Sequence, residues 1–389
     1  MPHPPKNSKK KLPALDQLHI LVQQGVALHQ QGSLVEAQVI YEKILSIQPD
    51  HFDALQLLGV LFSQAKKYLQ SSEFLYKALQ INPNHARTYS NYGIALKELK
   101  RFDEALSSYD QAILINPDYG DAYYNRGNTL MELKRFDEAL SSYDQAILIN
   151  PDYGDAFYNR GNTFMELKRF DEAIVSYDQA IAINPNHTET FYNRGNTLME
   201  LKRFDEAIVS YDQAIAINPN HTETYNNRGN TLKALRRFDE ALISYDQAIS
   251  INPDYPEAYN NRSNTLKELK QFDKALVNYN KAISIDPDYA DAYFNKSTLL
   301  ILRGDYREGW QLYEWRWKQK HNINSRRAYK QPLWLGHESL INKTLLITIE
   351  QGFGDYIQFI RYAILVEQLG AKVVLEAPLA LMKLAGTLK

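Results

Sequence analysis

The sequence predicts an all-α solenoid of antiparallel helical pairs, followed by an incomplete α/β segment of βαβα order. Three observations predict it. Pro49, Pro83, Pro117, Pro151, Pro185, Pro219, Pro253 and Pro287 each stand 34 residues from the next. Small residues recur on the same period, with Gly25, Gly59, Gly93, Gly127, Gly161, Gly195 and Gly229 as one series. After Tyr289 the period fails, and two short apolar runs alternate with helical patterns. A fixed period of this length is the mark of a repeat architecture, in which each unit buries its apolar surface against its neighbours.

With each Pro at repeat position 32, units begin at Phe52, Ala86, Gly120, Gly154, Thr188, Thr222 and Pro256, with an earlier one near Leu18 and a divergent last one at Ala290. Segments 154–187 and 188–221 differ at only four positions, which points to tandem duplication. In the unit at Gly120, the stretch DAYYNRGNTLMELK predicts a first (A) helix and DEALSSYDQAILI a second (B) helix. Asn186, Asn220 and Asp254 are the expected N-caps of A helices, with Glu189, Glu223 and Glu257 close behind. Asp137 and Asp171 are the expected N-caps of B helices, and each Asn-Pro ends one, because Pro cannot continue a helix. Ala at positions 20 and 27 lets the helices approach, and Tyr at position 24 (Tyr109, Tyr143, Tyr177, Tyr211, Tyr245, Tyr279) fills the space between them.

Composition narrows the function. Length alone would suggest two or three domains of about 150 residues, but the repeat replaces that expectation. With 44 basic and 46 acidic residues the chain lacks the basic footprint of a nucleic-acid binder. Having no Cys, it cannot carry a disulfide framework, a thiolate nucleophile or a Cys-based metal site. No apolar run reaches the roughly 20 residues of a membrane helix, and residues 1–17 lack the apolar core of a signal peptide. The expectation is a cytoplasmic protein with no cofactor, no metal site and no nucleic-acid partner.

The period, the Gly-Ala-Tyr-Ala-Pro positions and the copy number resemble the tetratricopeptide (TPR) repeat family over residues 18 to about 318. The resemblance implies a right-handed superhelix with A helices on its concave face, and a scaffold for protein–protein interaction. The first two units depart most, with Ile44 at position 27 and Ser71 at position 20.

At about 100° per residue, positions 2, 5, 6, 9, 12 and 13 of an A helix share the face opposite the packing positions. Position 6 is Asn91, Asn125, Asn159, Asn193, Asn227, Asn261 and Asn295; position 9 adds Asn128, Asn162, Asn196, Asn230 and Asn264. An amide side chain both donates and accepts, so such a row suits the backbone of an extended peptide. The position-6 series is similar to the asparagine ladder of eukaryotic O-GlcNAc transferase repeats. A solvated face copied by duplication is the competing reading. Acidic residues at position 2 (Asp121, Asp155, Glu189, Glu223, Glu257) and position 13 (Glu98, Glu132, Glu166, Glu200, Glu268) predict a preference for basic or neutral segments. Arg126, Arg160, Arg194, Arg228 and Arg262 at position 7 are expected to be structural, each reaching an Asp of a B helix. His187 and His221 read as turn residues rather than metal ligands.

In the last unit Trp310, Tyr313 and Trp317 share a helical face and are expected to cap the array. Arg326, Arg327 and Lys330 fall in a basic linker. Residues 343–349 predict a strand, 351–355 a tight turn, 356–369 a helix and 371–376 a second, parallel strand, with a further helix from Pro378. The expected organisation is a basic tail at 1–17, repeats at 18–318, a linker at 319–341 and an α/β segment at 342–389. The stretch WLGHESLINKTLLITIEQGFGDYIQFIRYAILVEQLGAKVVLEAP resembles the opening of the GT-B glycosyltransferase-like (heptosyltransferase-like) domains fused to bacterial TPR arrays. That resemblance makes Asp355 a candidate general base in a complete enzyme, although Asp355 and Gln358 also read as a helix N-cap and its N3 partner. The lobe that holds the nucleotide-sugar in such enzymes would lie beyond Lys389, so nucleotide-sugar is an expected partner only with that lobe, and no catalysis is expected of this chain.

Overall fold

The structure is a computed structural model that describes residues 14–319, 331–348 and 352–387, without the side chains of 14–16. The chain divides between residues 319 and 320 into two compact units. The first consists of nine antiparallel helical pairs. They are Ala14–Gln30 with Leu34–Ile47, Phe52–Gln64 with Tyr68–Ile81, Ala86–Glu98 with Phe102–Ile115, Gly120–Glu132 with Phe136–Ile149, and Gly154–Glu166 with Phe170–Ile183. Thr188–Glu200 with Phe204–Ile217, Thr222–Ala234 with Phe238–Ile251, Pro256–Glu268 with Phe272–Ile285, and Ala290–Arg303 with Tyr306–Tyr313 complete them. We number these pairs as units one to nine. The A helices of successive units touch one another, whereas successive B helices make at most marginal contact. The A helices therefore stand on the inner side of the stack.

Close approach within each pair explains the small-residue series. A Cβ added at Gly161 would lie 2.5 Å from Cε1 of Tyr177, and one at Gly127 2.6 Å from the same atom of Tyr143. The position-24 tyrosines are fully buried, so the ring occupies the volume that glycine leaves. In unit eight Ser263 stands at this position against Tyr279, buried and bonded to the Tyr259 carbonyl at 2.8 Å, so a small side chain can be accommodated. In unit two Ser71 donates to the Gly59 carbonyl at 2.8 Å, which satisfies a hydroxyl where other units have Ala.

The connections follow a fixed geometry. A helices end with Lys134, Lys168 and their equivalents at φ near +58°. The amide of Lys134 donates to Met131 O and that of Arg135 to Leu130 O, the paired bonds of a Schellman turn. Gly32 and Gly304 hold the same place in the first and last units. The B helices of units two to seven end at an Asn whose side chain accepts from the amide two residues on, as Asn150 does from Asp152 at 3.2 Å.

Helix starts differ from expectation. Units six, seven and eight are capped at His187, His221 and Tyr255, one residue after Asn186, Asn220 and Asp254. Asn184 and Asn218 hold the amides of Asn186 and Asn220 in the preceding turn, which removes them from the capping position. The B helices of units three to seven start at the aromatic residue after an Arg cap, so Asp137 and Asp171 are at N2 rather than N-cap. They still lie where a negative charge favours a helix start. The first helix begins at Ala14, inside the stretch expected as tail, while residues 1–13 lie outside the described residues.

The expected aromatic cap is also rearranged. After Tyr313 the helix tightens to a 3-10 turn over Glu314–Lys318. That rotation brings Trp315, not Trp310 or Trp317, onto Tyr293, with ring centroids 3.8 Å apart. Trp310 packs edge-on to Tyr313 and remains 49% exposed. Arg326, Arg327 and Lys330 lie outside the described residues.

The second unit has strands β1 (Thr344–Ile347) and β2 (Lys372–Leu375) paired in parallel, Thr344 opposite Lys372. Between them run Phe353–Phe359, a 3-10 turn at Ile360–Tyr362, and Ala363–Gln368. The helix starts at Phe353 behind a Gly352 cap, so Gly354 and Asp355 are helical rather than part of a turn. Asp355 is at N3, not N-cap, because extended Gly352 fills the cap position without a side chain. Past Pro378 the chain forms a 3-10 turn and the short helix Met382–Ala385.

Replacing Gly161 by Val should lower stability by about 1–3 kcal/mol through overpacking against Tyr177, while Gly161→Ser should cost clearly less, as Ser263 implies. Urea unfolding of the two variants checks this, and equal losses would refute the packing argument.

Candidate functional site

The inner face of the A helices carries a network that begins at the buried tyrosines. The Tyr143 hydroxyl donates to Asn128 Oδ1 at 2.8 Å, and Tyr177 and Tyr211 donate likewise to Asn162 and Asn196. Each of these amide oxygens accepts a second bond from the next unit. Asn159 Nδ2 donates to Asn128 Oδ1 at 2.9 Å and to the Tyr124 hydroxyl at 3.1 Å. Asn193 repeats this on Asn162 and Tyr158, and Asn227 on Asn196 and Tyr192.

The consequence for binding is specific. Asn159, Asn193 and Asn227 each commit both hydrogens of the NH2 group internally; Asn159 and Asn193 keep the Oδ1 acceptor, whereas Asn227 Oδ1 accepts from Asn226 Nδ2 at 3.3 Å. Each position-9 partner commits its Oδ1 and keeps its NH2 donors. Donor and acceptor come from two side chains on neighbouring units, not from one Asn as the sequence suggested. Asn128 with Asn159, Asn162 with Asn193, and Asn196 with Asn227 form three such rungs.

The other sequence-derived asparagines are arranged differently. Asn261 and Asn295 donate to Asn226 and Asn260, because position 5 changes from Tyr to Asn in units seven and eight. Asn230 and Asn264 accept from Tyr245 and Tyr279. Asn91 and Asn125 make no side-chain bond to a neighbouring unit, since their predecessors lack the position-9 Asn.

Tetratricopeptide repeat models match residues 18–51, 52–85, 74–107 and 244–277, and every unit from 120 to 255. A model described as TPR repeat matches 95–134 and 263–296, so that the matches run without a gap from 18 to 296. The chain belongs to the tetratricopeptide repeat family. Among solved structures it is similar to a TPR protein part from Cytophaga hutchinsonii, at 14% identity and a TM-score of 0.52, over 62% of this chain and 98% of that one. It is also similar to YrrB, a TPR protein described as having an unusual peptide-binding site, at 28% identity and a TM-score of 0.44, over 48% and 96% of the two chains. A Parabacteroides merdae TPR protein matches at 18% identity and a TM-score of 0.47, over 64% and 98%. No curated protein matches the chain.

Around the TPR rungs the position-7 arginines and the repeat-turn histidines are tied down. Arg126 donates to Asp110 of the preceding B helix at 2.8 Å and to Ser142 of its own at 2.8 Å. Arg160, Arg194, Arg228 and Arg262 pair with Asp144, Asp178, Asp212 and Asp246. They stitch B helices together on the far side from the rungs. His221 contacts Glu189 at 3.1 Å and accepts from the Thr224 amide. His187 bonds Thr190. Among the described residues no cluster could hold a metal ion, and no helix is long and apolar enough to cross a membrane.

Sequence reasoning missed Tyr124, Tyr158 and Tyr192, whose hydroxyls anchor the rungs. Their signal was their place one residue before each position-6 Asn, on the same face. Of the position-13 carboxylates, Glu132 is paired with Lys97 at 3.6 Å and Lys100 at 3.1 Å.

Burial raises the phenol pKa of Tyr109, Tyr143, Tyr177, Tyr211, Tyr245 and Tyr279, and pushes that of Tyr41 up to about 12. A raised folded-state pKa means that stability is full below the ordinary tyrosine value and falls as pH rises above it, by about 1.4 kcal/mol per pH unit for each phenol kept neutral. Above about pH 10 the array should therefore unfold cooperatively, with tyrosinate absorbance and loss of circular dichroism rising together. Independent titration of these tyrosines with helicity intact would contradict their burial.

Tyr109 provides a second test. Its hydroxyl is buried without a hydrogen bond, because position 9 of its unit is Ile94. Ile94→Asn should supply the missing acceptor, extend the network to Asn125 and stabilise the array by about 1 kcal/mol, read as a higher urea midpoint. A lower midpoint would show that Ile94 packing outweighs the hydroxyl.

Proposed function

We propose that this TPR array is a cytoplasmic scaffold that binds an extended peptide or protein segment along its Asn-lined inner face. The observation that carries the reading is the three composite rungs. The rungs Asn128–Asn159 and Asn162–Asn193 each leave one amide acceptor and one amide donor group without a protein side-chain partner, and the rung Asn196–Asn227 leaves its donor group, on half-buried side chains. A peptide backbone offers the complementary donor and acceptor whatever its side chains. Family membership supports an interaction role in general terms.

The probe is the set of peptides selected from a random dodecamer display library on the wild-type chain. Changing Asn159, Asn193 and Asn227 together to Ala should weaken these peptides at least about tenfold, since each rung loses the orientation of its donor and the first two also lose an acceptor. Far-ultraviolet circular dichroism should be unchanged. Equal affinity for wild type and variant would defeat the proposal.

A second reading rests on the parallel pairing of β1 and β2 through a helical crossover, together with the resemblance of residues 334–378 to glycosyltransferase-like domains. On it, the repeats recruit an acceptor to a GT-B-like domain in which Asp355 acts as base. Calorimetric titration with a nucleotide-sugar tests this reading on a chain that carries the nucleotide-sugar lobe, where binding is expected and its absence would remove the reading.

A further inference from the structure

The chain has five methionines, Met1, Met131, Met165, Met199 and Met382, and three of them stand at position 12 of the A helices in units four, five and six. No other unit has a sulfur at this position. Each of the three is half-buried on the inner face, and its sulfur meets a fully buried threonine of the following unit. Thr163 Oγ1 lies 2.9 Å from Met131 Sδ, and Thr197 and Thr231 lie 2.8 Å from the sulfurs of Met165 and Met199. These contacts cross the same three junctions as the rungs Asn128–Asn159, Asn162–Asn193 and Asn196–Asn227.

Each threonine hydroxyl has one hydrogen to donate and two acceptors in reach. Besides the sulfur, Thr163 lies 2.7 Å from the Asn159 carbonyl, and Thr197 and Thr231 lie 2.8 Å from those of Asn193 and Asn227. The thioether is the weaker acceptor of the two. The methionines also cover apolar surface of their own units. Met131 packs on the cluster of Leu106, Leu130, Ala139 and Tyr143, and Met199 on that of Ile174, Leu198, Ala207 and Tyr211. Each of these side chains thus joins the core of one unit to a buried hydroxyl of the next. A sulfoxide in the same place would set a polar group against that core and compete with the Asn carbonyl for the threonine hydrogen.

We propose that Met131, Met165 and Met199 are reversible oxidation sites, through which hydrogen peroxide loosens the three central junctions of the array. A sulfur lone pair attacks one peroxide oxygen, the S–O bond forms as the O–O bond breaks, and the second oxygen leaves as water with both protons. The sulfur is oxidised by two electrons and the peroxide is reduced by two. Dithiol-dependent sulfoxide reductases, one for each sulfoxide epimer, return the thioether. Stability in a repeat array is close to a sum over neighbouring interfaces, so three loosened junctions in series weaken the middle of the stack. The sites stand independently of peptide binding, because their effect is on the junctions themselves.

The test treats the folded, full chain with hydrogen peroxide, locates sulfoxides by peptide mass mapping and reads stability as the urea midpoint. Wild type should carry sulfoxide at all three positions, with a midpoint lower by at least about 0.5 M. Incubation with both epimer-specific sulfoxide reductases should restore the midpoint. The variant Met131→Leu with Met165→Leu and Met199→Leu keeps side-chain volume and removes the sulfurs. Its midpoint should not move on treatment, although the exposed Met382 is oxidised. Met382→Leu should respond as wild type does. If the triple variant does not fold, Met165→Leu alone should show a smaller fall than wild type, and an equal fall would count against the sites. Absence of sulfoxide at the three positions under conditions that oxidise Met382 overturns the proposal. So does an unchanged wild-type midpoint with all three oxidised, or an equal fall in the triple variant.

Discussion

The contact between a glycine on the A helix and a buried tyrosine ring on the B helix, made in units one and three to seven, is the constraint on which the rest depends. Where Gly127 faces Tyr143 or Gly161 faces Tyr177, no Cβ separates helix from ring. The ring is thereby held so deep that its hydroxyl can leave the core only toward the inner face. There it meets Asn128 or Asn162, and that Asn meets the Asn and Tyr of adjacent units. Packing within one unit therefore orients polar groups shared between two. Unit three shows the rule by its exception, because Ile94 breaks the relay and strands the Tyr109 hydroxyl.

Repetition alone makes an array, but its two faces are used differently. On the B-helix side, the Arg–Asp pairs span adjacent units at 2.6–2.9 Å and are half exposed on the Asp. Pairs of this kind contribute about 0–1 kcal/mol each, so they set alignment more than stability. On the A-helix side, the amides are linked yet unsaturated.

Much of this was legible in the sequence, because a 34-residue period fixes helix number, pairing and facing positions before any coordinate is known. The Asn series and the Arg–Asp stitching follow from that register. What was not legible depends on offsets of a single residue. His187 caps its helix in place of Asn186 because the Asn184 side chain holds the preceding turn. Trp315 stacks on Tyr293 because the last helix tightens to 3-10 geometry, which no residue pattern announces. The division of donor and acceptor between two side chains arises from the 31- and 35-residue separations between partners. Those separations bridge two units, and a helical-wheel reading of one unit does not contain them.

Side-chain amide NMR of asparagine-labelled protein tests the central claim most directly, because it reads the two kinds of Asn separately. The account predicts that the NH2 hydrogens of Asn159, Asn193 and Asn227 exchange slowly and hold their shifts when a selected peptide is added. Those of Asn128, Asn162 and Asn196 should exchange freely and move on peptide addition. Rapid exchange of the first group, or peptide-induced shifts confined to it, would contradict the composite rung.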